Sequence, residues 1–253
     1  MLRHGLLRPR HVRRRQGIFD RRSMTASCAA RRLSTLTPPP VGGGVSADPV
    51  RFLDACETAD GKGRRVVLIG RSQALRRQAE ACIKDVYRQA FGAQNLVLPS
   101  TLIALVAEPD RVLCAAGLRV ADEGFFSEVY LDRPIEEILS SRSGTTVARN
   151  AIFEVTTLAS CHAEASTLFL RQLAVLGTCA GFRWAFFTAT ARLRSLLRQL
   201  GIPIFEMAPA DPSRLVDADR WGSYYAHAPQ VCAVEDRWIA EALPRRRVGS
   251  SHA

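Results

Sequence analysis

Lysine is almost missing from this chain: Lys62 and Lys84 are the only two among 35 basic residues, and arginine supplies the rest. An Arg- and Ala-rich composition of this kind often reflects genomic base composition rather than a nucleic-acid surface. The charge distribution fits that reading. Residues 1–45 hold ten arginines against one acid, Asp20, while the remainder is nearly neutral despite a net charge of +11. Nucleic-acid binding therefore rests on the tail alone. No apolar run of about 18 residues exists, which excludes a spanning helix. No apolar segment follows the N-terminal arginines, which argues against a secretory signal. The seven cysteines (Cys28, Cys56, Cys82, Cys114, Cys161, Cys179, Cys232) are odd in number, widely spaced and without a Cys-x-x-Cys pair. That pattern reads as reduced thiols in a cytoplasmic protein. The five histidines lie far apart, so no metal-ligand cluster is legible.

What is present is a hydrophobic fraction of 47% over 253 residues, enough for one substantial core. Residues 1–45 mix Arg runs with Ser, Thr, Pro38-Pro39-Pro40 and Gly42-Gly43-Gly44, a composition that cannot bury enough apolar area to fold. The segment reads as a disordered tail. It fits a transit peptide, a start upstream of the true one at Met24, or a basic binding arm. A single domain is expected over 46–243, with a disordered end at 244–253.

Along that domain, Val66 to Gly70 reads as a buried strand and Ser72 as the cap of a following helix. Leu75, Ala79, Cys82, Ile83, Val86, Tyr87 and Ala90 keep helical spacing, with Arg76, Arg77, Lys84 and Arg88 on the other face. Gly92 ends that helix. Leu102–Ala107 and Arg111–Val120 predict a hairpin around Glu108-Pro109-Asp110. Phe125 to Leu131 reads as a strand after the Asp122-Glu123-Gly124 turn, and a short helix opens at Pro134. A strand–helix–strand–helix unit follows between Asn150 and Gly201. Beyond it lie a strand from Ile202, the aromatic segment Trp221 to Tyr225, a strand at Val231–Val234 and a terminal helix near 236–243. Several adjacent strands ahead of the strand–helix repeats argue for a mixed sheet flanked by helices, an α+β (α/β/α) arrangement.

The most informative residue is Glu154, a carboxylate inside the apolar strand Phe153-Glu154-Val155-Thr156-Thr157-Leu158-Ala159-Ser160. Burying it unpaired costs several kcal/mol or raises its pKa, so it is either paired, with Arg119 or Arg149, or used as a base. Strand alternation would put Glu128 and Tyr130 on one face, either as an amine-binding pair or as a turn-end acid beside a packed tyrosine. Arg119 suits bidentate binding of a carboxylate or phosphate, or a surface strand. Cys161 and His162 are adjacent, but neighbouring residues rarely point at each other and no orienting acid is identifiable.

The order of these pieces resembles the acyl-CoA N-acyltransferase (GNAT-like) fold, including the acyl-homoserine-lactone synthases, and resembles the thermostable hemolysin family more closely. The matching stretches are Tyr87 to Ala93, Ala116 to Ala121, Glu128 to Asp132, Glu154-Val155 with Leu158-Ala159-Ser160, Phe187 to Thr190 and Trp221 to Tyr225, in family order. The resemblance implies a GNAT-like, mainly antiparallel mixed sheet and an acyl transfer from a thioester, acyl-CoA or an acyl-carrier protein, to an amine-bearing small molecule. No tightly bound cofactor is implied. Within it, Glu154 would be the general base, with Glu128 and Tyr130 as its catalytic companions. The strand amides at Thr156, Thr157 and Leu158 would polarise the thioester carbonyl, and Arg119 and Tyr224 would bind substrate.

The chain departs from these patterns at three places. Thr156-Thr157 stands where relatives carry Gly-Asn, Ser160 to Ser166 replaces the glycine-rich phosphate loop, and Leu197 occupies the place of the usual acid tyrosine, leaving Tyr224 or Tyr225 as substitutes. The missing glycine loop makes an acyl-carrier-protein donor plausible beside CoA. The family name implies a second function class, a membrane-active cytolysin, which predicts export and an inserting segment that the sequence does not show. A GNAT-shaped binding module without catalysis is the third.

Overall fold

The structure, a computed structural model, describes residues 63–236. Both expected tails, the start of the domain at 46 and nearly all of the terminal helix expected at 236–243 lie outside the described residues. The chain runs β1 (Arg64–Ile69), α1 (Arg76–Phe91), β2 (Thr101–Ala107), β3 (Arg111–Val120), α2 (Ile135–Ser143), β4 (Ile152–Ser160), α3 (Ala163–Cys179), β5 (Trp184–Ala189), α4 (Ala191–Gln199), β6 (Phe205–Pro209) and β7 (Gln230–Glu235), with short 3-10 turns between them. Seven strands form one sheet in the order β1-β2-β3-β4-β5-β7-β6. Every neighbouring pair is antiparallel except β4 and β5, whose parallel pairing requires the crossover helix α3. This is the mixed, mainly antiparallel sheet that the sequence predicts.

The sheet's two faces carry different helices. Phe169, Leu173 and Leu176 of α3 pack with Leu105, Leu118 and Phe153 on one face. Gly177 permits that contact, since a Cβ there would lie 2.5 Å from the Phe153 ring. On the other face, Ala79, Ile83 and Tyr87 of α1 cover Leu102, Ala104 and Val106. Ile135 and Leu139 of α2 join Ile152, Phe186 and Val231 in a third cluster. Central strands covered on both faces explain the near-continuous apolar runs of β2 and β3.

Four expectations are corrected. Ser72 caps nothing: α1 begins at Arg76 with no side-chain cap. Gln73 shapes the preceding turn instead, its side chain accepting from the Gly70 amide at 3.0 Å and its carbonyl from the Arg76 amide at 3.0 Å. Arg76 is not on the solvent face. It is buried because its guanidinium donates to the carbonyls of Pro99 and Ser100 at 2.6 and 2.7 Å and pairs with Glu80. The strand expected from Ile202 starts only at Phe205. Finally, Phe125 to Leu131 is not a strand. Residues Ser127–Tyr130 form a 3-10 turn, because β3 pairs directly with β4 and the amides of Phe126 and Ser127 are bound by Glu154. Glu128 and Tyr130 therefore share no strand face.

Candidate active site

The site follows from where β4 and β5 part. They pair only from Ile152 opposite Trp184 to Val155 opposite Phe187. Just past that point β4 bulges against β3. Thr156 faces Gly117 and Ala159 faces Ala115, so Thr157 and Leu158 oppose a single residue, and Thr157 takes a φ of 46°. Such a bulge bends the strand and ends regular pairing. Gly117 makes room for it, since a Cβ there would lie 2.2 Å from the Thr156 hydroxyl.

A cavity of about 860 Å³ occupies the split, within the range of small-molecule sites. Phe153, Val155 and Phe187 wall it from the strands, Phe169 and Leu173 from α3, Leu196 and Leu197 from α4, and Tyr87 and Phe91 from α1. A second cavity of about 20 Å³ adjoins it, with room for roughly one water-sized group. The two share Tyr87, Val155, Thr157, Thr188 and Tyr224, and the smaller adds Phe126, Ser127, Tyr130, Thr156 and Trp221. The hydroxyls of Thr156 and Thr157 are buried and make no hydrogen bond among the described residues.

Of the residues singled out in the sequence, Thr156, Thr157, Leu158, Tyr130 and Tyr224 meet at these cavities, whereas Glu154, Glu128 and Arg119 line neither. Glu154 is fully buried. Its carboxylate accepts from the Phe126 amide at 2.6 Å and the Ser127 amide at 2.7 Å. Burial pushes this carboxyl above its ordinary value, opposed by the Ser127 hydroxyl and amide, the Phe126 amide and the charge of Arg119. Arg119 stands opposite Glu154 across β3 and β4, but among the described residues its guanidinium bonds the carbonyls of Glu123 and Gly124, at 3.4 Å, and not the carboxylate.

Glu128 is held in a structural cluster. Arg149 grips it through two hydrogen bonds of 2.6 Å, and Glu128 also accepts from the Ile135 amide at the start of α2. Burial works upward on its carboxyl, yet these partners hold it below the ordinary carboxylate range. Arg149 also binds Glu136, so it is not the partner of Glu154.

The Tyr130 hydroxyl bonds that of Tyr225 at 2.7 Å, and Tyr224 reaches the Thr188 carbonyl at 3.4 Å. Burial raises all three phenols, so they stay protonated; in the Tyr130–Tyr225 bond one hydroxyl donates and the other accepts, and Tyr224 donates to the Thr188 carbonyl. Leu197, at the place of the family's acid tyrosine, is a buried wall of the large cavity.

Cys161 corrects the expectation of reduced thiols. It is joined to Cys82 of α1 in a disulfide with a Cα separation of 6.1 Å, and a sulfur so engaged is no nucleophile. Cys114 and Cys232 stay as buried thiols raised to about 11 and about 12 by burial.

Three contributors went unnoticed in the sequence. Ser127 and Thr188 share a hydrogen bond of 2.8 Å. Thr188 follows Phe186 by two residues and so lies on the Glu154 face of the sheet, a signal readable only once β4 and β5 are known to pair. Arg192, exposed at the start of α4, lines the large cavity and has no ionic partner among the described residues.

The bulged β4, the diverging parallel pair and the cavity between them form the GNAT-like arrangement of a mixed sheet flanked by helices. Residues 69–238 match the family model described as thermostable hemolysin, and the chain belongs to that family. Solved structures similar to it include the acyl-homoserine-lactone synthase LasI, at 10% identity over 70% of this chain and 91% of that one, with a TM-score of 0.46. Another is FeeM, an N-acyl amino acid synthase from uncultured soil microbes, at 14% identity over 72% and 95%, TM-score 0.46. A third is MesI, a CoA-dependent acyl-homoserine-lactone synthase, at 16% identity over 75% and 97%, TM-score 0.41. No curated protein sequence matches the chain. None of the described helices is long and apolar enough to cross a membrane.

Proposed function

We propose that the protein transfers an acyl group from a thioester donor, acyl-CoA or an acyl-carrier protein, to an amine-bearing small molecule. The observation that carries this reading is the large, mostly aliphatic and aromatic cavity ending at the bulge of β4, with a water-sized cavity lined by hydroxyls and aromatic rings beside it. An acyl chain fits the first, and the amino group of the attacking molecule fits the second. Their junction at Thr157 and Thr188 is where a thioester carbon would be attacked. The edge of β4 from Thr156 to Leu158, released from β5, offers amides to the carbonyl oxygen. Glu154 is the proton acceptor, and the Tyr130 and Tyr224 side chains line the acceptor side. Glu128 and Arg119, which line neither cavity, hold the surrounding turns rather than touch substrate.

The direct test is intact-mass detection of acyl transfer with acyl-CoA and acyl-carrier-protein pools and an amine library. Free thiol together with a new amide supports the reading, whereas a folded sample that turns over no donor rejects it. Two further outcomes follow from the walls of the cavity. Ala185→Trp intrudes where Ala185 lines the large cavity, so chain-length profiling should show the preferred acyl group shortened by several carbons. Activity retained on the longest chains would place them elsewhere. Arg192 is positioned for a donor phosphate, and a charge-assisted hydrogen bond contributes about 1.5–3 kcal/mol. Arg192→Ala should therefore raise the donor KM by roughly tenfold or more with kcat little changed, as steady-state kinetics would read.

A further inference from the structure

Glu154 lies beneath the site but touches neither cavity, so a base there needs a path to the substrate. Among the described residues two hydroxyls bridge that gap. Ser127 is buried; its amide donates to the Glu154 carboxylate at 2.7 Å, which brings its side chain beside that carboxylate, and its hydroxyl is hydrogen-bonded to the Thr188 hydroxyl at 2.8 Å. Thr188 is a wall of both cavities and sits where they join. Each hydroxyl has one proton to donate and lone pairs to accept, so one orientation of the bonded pair leads from the cavity toward the carboxylate that the Ser127 amide already holds.

We propose that Thr188 and Ser127 form a proton relay, in which Thr188 accepts the proton of the attacking amine and Ser127 delivers one to Glu154. The inference rests on the acyl-transfer reading. As the amine nitrogen bonds to the thioester carbon, its proton passes to the Thr188 oxygen. The Thr188 proton moves to the Ser127 oxygen, and the Ser127 proton moves to Glu154. The carbon–sulfur bond then breaks, the thiolate leaves with the electron pair, and the proton on Glu154 returns through the same hydroxyls to the sulfur. No oxidant, reductant or further reactant enters. Thr188, a wall of both cavities, receives the proton first, and Ser127, which lines only the smaller one, passes it on to Glu154. Holding the Phe126 and Ser127 amides on Glu154 fixes the inner end of the path.

The relay predicts a specific pattern among variants of the full chain. Thr188→Val keeps the shape and removes the hydroxyl, and should lower kcat by about a hundredfold or more, the lower end of general-base effects. Thr188→Ser should restore most of it. Ser127→Ala should match Thr188→Val, and the double variant should be no slower than either, since members of one relay are non-additive. In wild type, kcat should rise with pH as Glu154 loses its proton, and that limb should flatten in both hydroxyl-deleted variants. A merely structural role for Thr188 would not move the pH limb. Melting curves of each variant show which are folded, and Thr188→Ser and Ser127→Ala carry the test if Thr188→Val does not fold. A wild type that transfers acyl groups beside folded variants with unchanged kcat and pH profile overturns the relay alone. A wild type without transfer removes the acyl-transfer reading and the relay with it.

Discussion

Glu154→Ala should cost the fold about 3–5 kcal/mol, read as a shift of the denaturation midpoint. The substitution removes the acceptor of two backbone amides, those of Phe126 and Ser127, in a fully buried place. Each buried donor left unpaired costs about 1–3 kcal/mol, and bonds to a charged group are stronger than neutral ones. The loss spreads beyond the two amides. The segment they anchor leads into the 3-10 turn that presents Ser127, Tyr130 and Phe126 to the small cavity, and Glu128 in the same turn ties it to the start of α2. Glu154→Gln keeps one acceptor oxygen but points an amide N–H at the other donor, so a smaller penalty of about 1–3 kcal/mol is expected. A midpoint unchanged in the alanine variant would mean that this turn needs no buried acceptor.

The same residue sets the sign of a pH effect. Burial raises the carboxyl of Glu154 in the folded state above its unfolded value, against the pull of Ser127, Phe126 and Arg119. The native state therefore binds the extra proton between the two values, so stability from this residue is whole below about pH 4.3 and is lost as pH rises through the folded pKa. Glu128, held low by Arg149 and the Ile135 amide against burial, behaves oppositely: its contribution is present above about pH 4.3 and falls away in acid. Wild type minus Glu154→Gln should thus decline as pH rises above about 4.3, whereas wild type minus Glu128→Gln should decline as pH falls below about 4.3.

The difference between these two acids shows what the sequence could convey. A carboxylate in the middle of an apolar strand announces itself, and Glu154 was legible as a residue with a task. Its partners were not, because backbone amides of a segment 27 and 28 residues away carry no side-chain signature. Individual core strands were readable from runs such as Arg111–Val120, which is β3 to the residue. Phe125 to Leu131 misled because aromatic and β-branched residues satisfy strand propensity, and propensity does not know that β3 and β4 already pair. Arg76 misled for a related reason. Helical periodicity puts an arginine outside, but five donors can also satisfy the carbonyls of a passing segment. The bulge at Thr157 depends on register between β3 and β4, and the cavity depends on that bulge, so the site emerged only with the tertiary arrangement.

Reduction of the disulfide should produce the other large effect. Cys82 and Cys161 are 79 residues apart in sequence, and the chain-entropy model for a loop of that length gives about 4.5 kcal/mol, with measured losses of about 2–5 kcal/mol for native bridges. For a domain of this size each kcal/mol is roughly 2–4 °C, so a reductant should lower the melting temperature by about 5–15 °C. Cys82→Ser should start at the lower value and ignore the reductant. The consequence reaches the site because the bridge fastens α1 to the end of β4, and Cys161 is itself a wall of the large cavity beside Ser160 and Ala163. Freed from that tether, α1 holds Tyr87 and Phe91 less firmly against the cavity, and donor KM should rise while the Glu154 side of the site is untouched. Thiol titration of the unfolded, non-reduced chain provides the check: both sulfurs reacting as free thiols, with no change in melting on reduction, would show that α1 is held by packing alone.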